Sequence, residues 1–531
     1  MSRSLEHAEV VVVGAGLGGL CTAAYLAVAG KRVIVVDRHS VPGGNGTVFT
    51  HDGFEFDVGL HYIGDCGPGG GIPSVLEPLG IELTYREMDP DGFDTFVFDD
   101  GTRFAVPKGV DTFRDRLVAA FPGDADGIRR YLDTIVAIDD ELTGAGPGPA
   151  VVEHLSITLG QLFDDLDLSP RARTVLSGQH GTYALPPSQV SLLLHAALVM
   201  HYLKGAYYPT GGGQVIADRL AEVIRSHGGD IVLQTPVEEI LVEDTPEGRA
   251  VSGVRLHVPS ARRAQGVPDV IRAPVVVSNA DLKATVTRLL PAGALPPEVV
   301  AAVEGYEMTL PLFVLYLIID RDLSAELPNT NLWLLGDDVE EEYAGLFAGH
   351  VSDRPMTYIT SASLKDPGNP RLCGPGQTNV QIMTLVPGDH EWWGLHGGGP
   401  AEGERYRTNP AYLARKRELR DLLVAQAERV LPGIEASIVH EEAATPITHE
   451  RFVRSTGGTS YGIAATPGQF ALNRPANATV LRGLFLVGAS TMSGHGIGGV
   501  LAGGSACAGA VLGGSARSIA RERLAAEEAV T

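Results

Sequence analysis

The sequence predicts an α/β fold that opens on a parallel strand–helix–strand unit. Three observations carry this. A run of branched apolar residues, Val10 to Val13, enters Gly14-Ala-Gly-Leu-Gly-Gly19. A helical stretch from Leu20 to Ala29 follows, closed by Gly30. A second apolar strand, Arg32 to Val36, ends in Asp37.

Each element has a physical reason. Branched apolar residues without alternation mark a strand buried on both faces. In the glycine run, Gly14 permits a tight turn and Gly16 lets a pyrophosphate reach the backbone. Gly19 lets helix and strand pack closely. The helix start offers free N–H groups and the positive end of its dipole to phosphate. Asp37 follows Gly19 by about 18 residues, the distance at which an acid accepts hydrogen bonds from a ribose. Together these parts specify a Rossmann-type dinucleotide site.

Composition narrows the field. At about 150 residues per domain, 531 residues make three to four units. Glycine supplies 66 of them, well above the usual ~7% and without a period, which excludes collagen and suits a backbone that approaches a ligand closely. A net charge of −23 argues against nucleic acid as a partner and against electrostatic docking on anionic lipid. Four cysteines, widely spread and without CxxC or His/Cys ligand spacing, predict no disulfide framework, no metal site and a reducing, cytoplasmic location. No signal-peptide pattern opens the chain, and no apolar run reaches the ~18 residues of a membrane span. The longest, Val190 to Met200, is short and holds His195.

Further along, Val110 to Leu142 reads as two helices broken at Pro122-Gly123. Leu192 to Leu203 is an apolar helix, either core or cavity wall. Val215 to His227 is a helix, Asp230 to Val242 a strand–turn–strand, and Thr309 to Asp320 a strand. Ser515 to Val530 is a charged, solvated helix or tail.

Pro42-Gly-Gly-Asn-Gly-Thr-Val-Phe49 follows the first unit, then Asp52-Gly-Phe-Glu-Phe-Asp-Val-Gly-Leu-His-Tyr-Ile-Gly64. With these stretches the chain resembles the flavoproteins that include phytoene desaturases, carotenoid isomerases and retinol saturases, within the amine-oxidase-like superfamily. Phe54 to Gly64 most resembles the retinol saturase branch. The resemblance extends over Tyr208 to Gln214, Val275 to Asp281, Gly483 to Gly488 and Ser493 to Val500.

It implies FAD, held by Gly14, Gly16, Gly19, Asp37, Arg38, Gly43, Gly44, Asn45, Val237, Gly488, Ile497, Gly498 and Val500. It implies a Rossmann-type FAD-binding domain assembled from residues 1–75, 208–290 and 476–531. A mixed α+β substrate domain, residues 76–207 and 291–475, would be inserted in it. The implied activity is saturation, desaturation or isomerisation of a carbon–carbon double bond in a hydrophobic polyene or isoprenoid. A second dinucleotide signature is lacking, so an electron donor or acceptor would meet the flavin directly. Peripheral contact with a membrane surface is left open. One departure is Gly488-Ala489-Ser490: the superfamily often has an Asp where Ala489 stands, and Ser490 or a backbone carbonyl would have to replace it.

His61 and Tyr62 are the catalytic candidates, since moving or saturating a double bond needs a proton as well as a hydride. The alternative is an aromatic pair that only packs. Rival functions on the same scaffold are a flavin amine oxidase, a reductive cyclase of a polyene, and a non-catalytic prenyl- or lipid-binding protein.

Overall fold

A computed structural model of the chain describes residues 4–144, 146–403 and 405–529. Its first layer is a five-stranded parallel sheet. The order is Asp230–Val232, Val33–Val36, Val10–Val13, Val275–Ser278, Leu484–Leu486. The valine runs alternate between two cores, as strand geometry requires. Val10 and Val12 pack with Leu20, Ala23 and Ala24 of the helix Leu17–Val28. Val11 and Val13 pack with Ile240, Val251 and Val254. These last belong to an antiparallel layer of Val237–Thr245, Gly248–Leu256 and Val270–Arg272. Burial on both faces explains why the first strand shows no polar alternation.

The second layer is a seven-stranded mixed sheet. Its order is Ile438–Ala444, Leu312–Ile319, Thr378–Leu385, Thr357–Thr360, Asn331–Leu335, Asp94–Phe98, Arg103–Val106. One face packs Phe313, Leu315 and Ile382 against Leu419 and Leu423 of the helix Pro410–Glu428. The other presents Val314, Tyr316, Trp333, Tyr358 and Met383 toward the helices Ala125–Thr143 and Leu192–Leu203. All strands of the parallel sheet come from residues 10–36, 230–278 and 484–486, and all strands of the mixed sheet from 94–106 and 312–444.

The helical break falls at Pro122–Asp124, between Val110–Ala120 and Ala125–Thr143. The strand expected over 309–320 is trimmed to Leu312–Ile319, because Thr309 instead bonds Thr459 and Gly462. The C-terminal helix is Ala516–Glu528. Val530, and the outer limits 1 and 531 of the expected pieces, lie outside the described residues. Among the described residues no single helix is long and apolar enough to cross a membrane.

Candidate active site

The carboxyl ends of the parallel strands open into one cavity of about 2110 Å³. That is where an open α/β sheet places its ligands. Val13 ends in Gly14, whose φ of +99° no branched residue would adopt cheaply. Gly16 precedes the helix Leu17–Val28, whose first turn has no side-chain cap. The Gly43–Gly46 loop lies against it. Gly43 N–H donates to the Ala15 carbonyl at 2.7 Å, and a Cβ on Gly44 would stand 3.0 Å from the Gly16 Cα. A second helix, Gly496–Leu512, also starts uncapped, and Gly496 to Val500 line the same cavity. Two uncapped helix starts and two glycine-rich loops form an anion cradle.

Asp37 stands at the edge of this cradle. Its carboxylate accepts the N–H groups of Ala15 and His39, each at 2.6 Å, which fixes the glycine turn and leaves further lone pairs for a ribose. Gly14, Gly16, Asp37, Arg38, Gly43, Gly44, Asn45, Val237, Gly488, Ile497, Gly498 and Val500 all line the cavity, as do His61 and Tyr62. Gly19 does not. A Cβ there would lie 2.3 Å from the Gly14 carbonyl oxygen, so Gly19 seats the helix on the strand and touches no ligand. Arg38 donates to the carbonyls of Arg451 and Phe452.

The Asp57 and Tyr208 segments meet in one contact. The buried Asp57 carboxylate accepts from the Tyr208 hydroxyl at 2.6 Å and the Gly213 N–H at 3.2 Å. Burial pushes its pKa up to about 7. A Cβ on Gly59 would meet the Asn45 carbonyl at 2.8 Å, so this segment runs tightly beneath the cradle. It carries His61 and Tyr62 to the cavity.

The two candidates have different surroundings. Burial, with the Lys365 charge added, holds the His61 imidazole down to about 3. It is neutral at ordinary pH, and its Nδ1 is buried without a partner. Tyr62 stacks on Tyr202 with centroids 4.2 Å apart, and its hydroxyl donates to Asp94 Oδ2 at 3.0 Å. Burial, then Asp94, raises the Tyr62 phenol well above its ordinary value, so it keeps its proton.

Behind Tyr62 lies a network that sequence reasoning missed. Asp94 also accepts from Gln179 Nε2 at 2.7 Å and Asn331 Nδ2 at 2.8 Å. Asn331 Oδ1 in turn accepts from Lys365 Nζ at 2.7 Å, and Lys365 also donates to Thr360. Lys365 is 1% exposed, and burial pushes its pKa down to about 7, against the pull of Asp57 and Asp94. Burial raises the Asp94 carboxyl.

Asn279 was also missed. It follows the strand Val275–Ser278, lines the cavity and donates to the Gly14 carbonyl at 3.3 Å. Its position after a parallel strand was the available signal. At the departure from the superfamily pattern, the Ala489 carbonyl accepts from Arg474 at 2.5 Å. Ser490 Oγ accepts the Ile463 N–H at 3.3 Å, and Ser490 lines the cavity.

One wall of the cavity is apolar, while Asp65, Asp139, Lys204, Asp281, Lys416 and Glu442 line other stretches of it. Leu312, Val314, Trp333, Tyr358 and Met383 of the mixed sheet form the apolar wall, with Leu194, Ala197 and Leu198 of the apolar helix. That helix is therefore both core and cavity wall.

Similarity to known proteins agrees with this geometry. The chain is 26% identical over 548 residues to the all-trans-retinol 13,14-reductase of Danio rerio, covering 96% of this chain and 87% of that one. It is 28% identical over 541 residues to a neurosporene-forming phytoene desaturase of Rhodobacter capsulatus, covering 95% and 94%. In fold it is similar to an oxidoreductase from Methanosarcina mazei, with a TM-score of 0.62 at 18% identity, covering 95% of this chain and 99% of that one. The model of the flavin containing amine oxidoreductases matches residues 17–392. The cradle fits FAD, and the chain belongs to the flavin containing amine oxidoreductase family as an FAD-dependent oxidoreductase.

Proposed function

We propose that the enzyme acts on a carbon–carbon double bond of an extended hydrophobic polyene or isoprenoid. The cavity carries this reading. Its volume of about 2110 Å³ exceeds the roughly 300–1,000 Å³ of a drug-sized pocket, which leaves room for an elongated molecule beside a dinucleotide. The wall built by the mixed sheet and the helix Leu192–Leu203 is apolar, which suits an extended polyene better than a small protonated amine. Similarity to a retinol reductase and a phytoene desaturase supports a polyene, though those two names describe opposite directions.

FAD, when bound, supplies two-electron exchange with carbon. The chain supplies the rest. The glycine loops and the helix starts at Gly16 and Gly496 hold the pyrophosphate and the flavin end. The apolar walls orient the chain of double bonds and keep water out. Tyr62 holds a proton beside the flavin end of the cavity, and the Asp94 carboxyl that accepts from its hydroxyl fixes where that hydroxyl lies. We assign residues 1–75, 208–290 and 476–531 to an FAD domain and 76–207 and 291–475 to a substrate domain. The polyene then lies where the two meet. A cytoplasmic enzyme that exchanges electrons directly with a soluble or membrane-surface partner fits this reading.

Mass decides the direction. The holoenzyme is incubated with retinol, phytoene and a cis-carotenoid under reducing and oxidising conditions, and products are resolved by chromatography and mass spectrometry. Gain of two hydrogens means saturation, loss of two means desaturation, and a shifted retention at constant mass means isomerisation. Turnover of amines with none of the polyenes changed would overturn the proposal.

A further inference from the structure

We propose that His51, Asp52 and His440, with Glu442 behind them, form a site for a divalent ion of the zinc class at the rim of the cavity. His51 Nδ1 and His440 Nε2 lie 3.2 Å apart. Asp52 Oδ2 is 3.7 Å from His440 Nδ1 and 3.9 Å from His51 Nδ1. One donor atom from each residue lies within 4.8 Å of the others. His440 turns Nε2 toward His51 and Nδ1 toward Asp52, and only one of them would ligate; with one donor from each residue within 4.8 Å, side-chain rotation has to draw the set in to the roughly 3.3–3.5 Å of a tetrahedral ion with bonds of about 2.0–2.1 Å.

The fold holds these groups in place. His51 and Asp52 form the end of the hairpin Val48–His51/Phe54–Asp57. Asp52 has φ +49° and Gly53 φ +90°, the Asp-Gly turn that joins two strands without splaying them. His440 comes from the edge strand Ile438–Ala444, and its ring stacks on Phe56 at 5.9 Å and 16°. Glu442 follows two residues on, on the same face. Its Oε2 faces His51 Nε2 at 3.9 Å, beyond hydrogen-bond distance, from where a small rotation would let it support that imidazole, while its Oε1 pairs with Lys416 at 3.0 Å. His51 is 45% exposed and His440 11%, so an ion reaches the site and keeps an open position for water.

The ligand chemistry selects the ion. Two imidazoles and a carboxylate suit Zn(II), Ni(II) or Cu(II), whereas Mg(II) and Ca(II) demand oxygen. With neutral imidazoles, Asp52, Glu442 and Lys416 leave one net negative charge, in a chain of net charge −23. An ion here would tie the N-terminal hairpin to the edge of the mixed sheet, on a stretch where His51 and Glu442 line the cavity. The site is independent of the flavin assignment. Its ligands are 389 positions apart in the chain, which is why no ligand spacing appears in the sequence.

The test uses flavin-loaded protein stripped with chelator and titrated calorimetrically with Zn(II) alone. One saturable equivalent is expected, together with tetrahedral absorption bands on Co(II) substitution and a rise in thermal midpoint with Zn(II). His51→Ala should weaken binding by at least about 10–100-fold, the scale of disturbing a metal site's supporting groups. Asp52→Asn keeps a residue at home in the positive-φ turn, so it folds and should also lose affinity. Flavin content measured in both variants separates this site from the cradle. Absence of a saturable equivalent in the wild type, or equal Zn(II) affinity in wild type and both variants, overturns the proposal.

Discussion

Replacing Tyr62 by Phe removes one oxygen and little else. The ring keeps its stack on Tyr202 at 4.2 Å, and Asp94 keeps its bonds from Gln179 at 2.7 Å and Asn331 at 2.8 Å. The lost 3.0 Å bond to Asp94 is worth about 1.5–3 kcal/mol if the carboxyl is ionised and about 0.5–1.5 kcal/mol if it is neutral. Stability should therefore fall by about 0.5–3 kcal/mol, with the fold intact. Turnover separates two roles. A proton donor acts in the transition state, so its loss costs about 10²–10⁴-fold in rate at full flavin occupancy. A packing residue costs almost nothing in rate. Rates are measured in single turnover, with FAD content matched to wild type. Asp94→Asn is assayed beside it. If Asp94 positions the Tyr62 hydroxyl, the double variant is no slower than the slower single variant, because the two act as one unit. A Tyr62→Phe enzyme within about a factor of ten of wild type would remove the proton-donor role.

Gly16→Val should abolish FAD binding. The new Cβ would meet Asn279 Nδ2 at 2.7 Å on the cradle floor, and normal flavin content in the purified variant would refute the phosphate site. Asp37→Asn keeps one acceptor for the two N–H groups at 2.6 Å, so deflavinated protein should bind FAD more weakly by about 1.5–3 kcal/mol, or ten- to hundred-fold. An unchanged dissociation constant would show that the carboxylate serves the turn alone. Burial holds His61, His180, His195 and His495 down to about 3, and His201 and His449 down to about 4, from 6.5. Folded values below unfolded ones give stability that is present above pH 6.5 and lost as pH falls toward those values. Asp57 and Glu342, raised to about 7 by burial, act oppositely, as do Asp94, Glu55 and Asp139, whose carboxyls burial also raises, so the six histidines exceed the opposing acids by one. The urea midpoint should drop between about pH 7 and 5, at about 1.4 kcal/mol per pH unit for each net proton, and a flat profile would refute the burial argument.

What was legible in the sequence was local. The turn at Gly14, the glycines facing Gly16 and the acid closing the second strand are demands that one short segment makes of itself. Even there Gly19 needed the structure to show that it faces the strand. The Asp57 motif was visible, and so was the Tyr208 motif, but not that they bond each other. Asp94, Asn331 and Lys365 carried no signal, because their meeting depends on strand register. Asn331 pairs with Asp94 across a parallel step in an otherwise antiparallel sheet. Lys365 follows a different strand, Thr357–Thr360. No spacing rule predicts which polar residues a mixed sheet will align on one face.

That alignment is expensive, which is the reason to ask what it does. Lys365, Asn331 and Asp94 are each at most 1% exposed. Replacing a whole buried ion pair by apolar groups is often neutral, whereas removing one partner leaves the other charge uncompensated, and Lys365 acts on the buried Asp57 and Asp94. Asn331 Oδ1 keeps the Thr360 hydroxyl at 2.8 Å as a donor when Lys365 is removed, so it is not orphaned. Lys365→Met, similar in volume, should then keep its hydrogen bonding but lose stability, by up to about 3–5 kcal/mol to the extent that Asp57 and Asp94 are ionised. The ammonium stands 6.0 Å from the Tyr62 ring, and its field favours ionised Asp94. Removing it should raise the Asp94 carboxyl further and shift the pH–rate profile for carbon–carbon chemistry to higher pH. Flavin content should stay unchanged, since Lys365 does not line the cavity. A profile that superimposes on wild type would show that the network serves packing alone, and that Tyr62 works without support from behind.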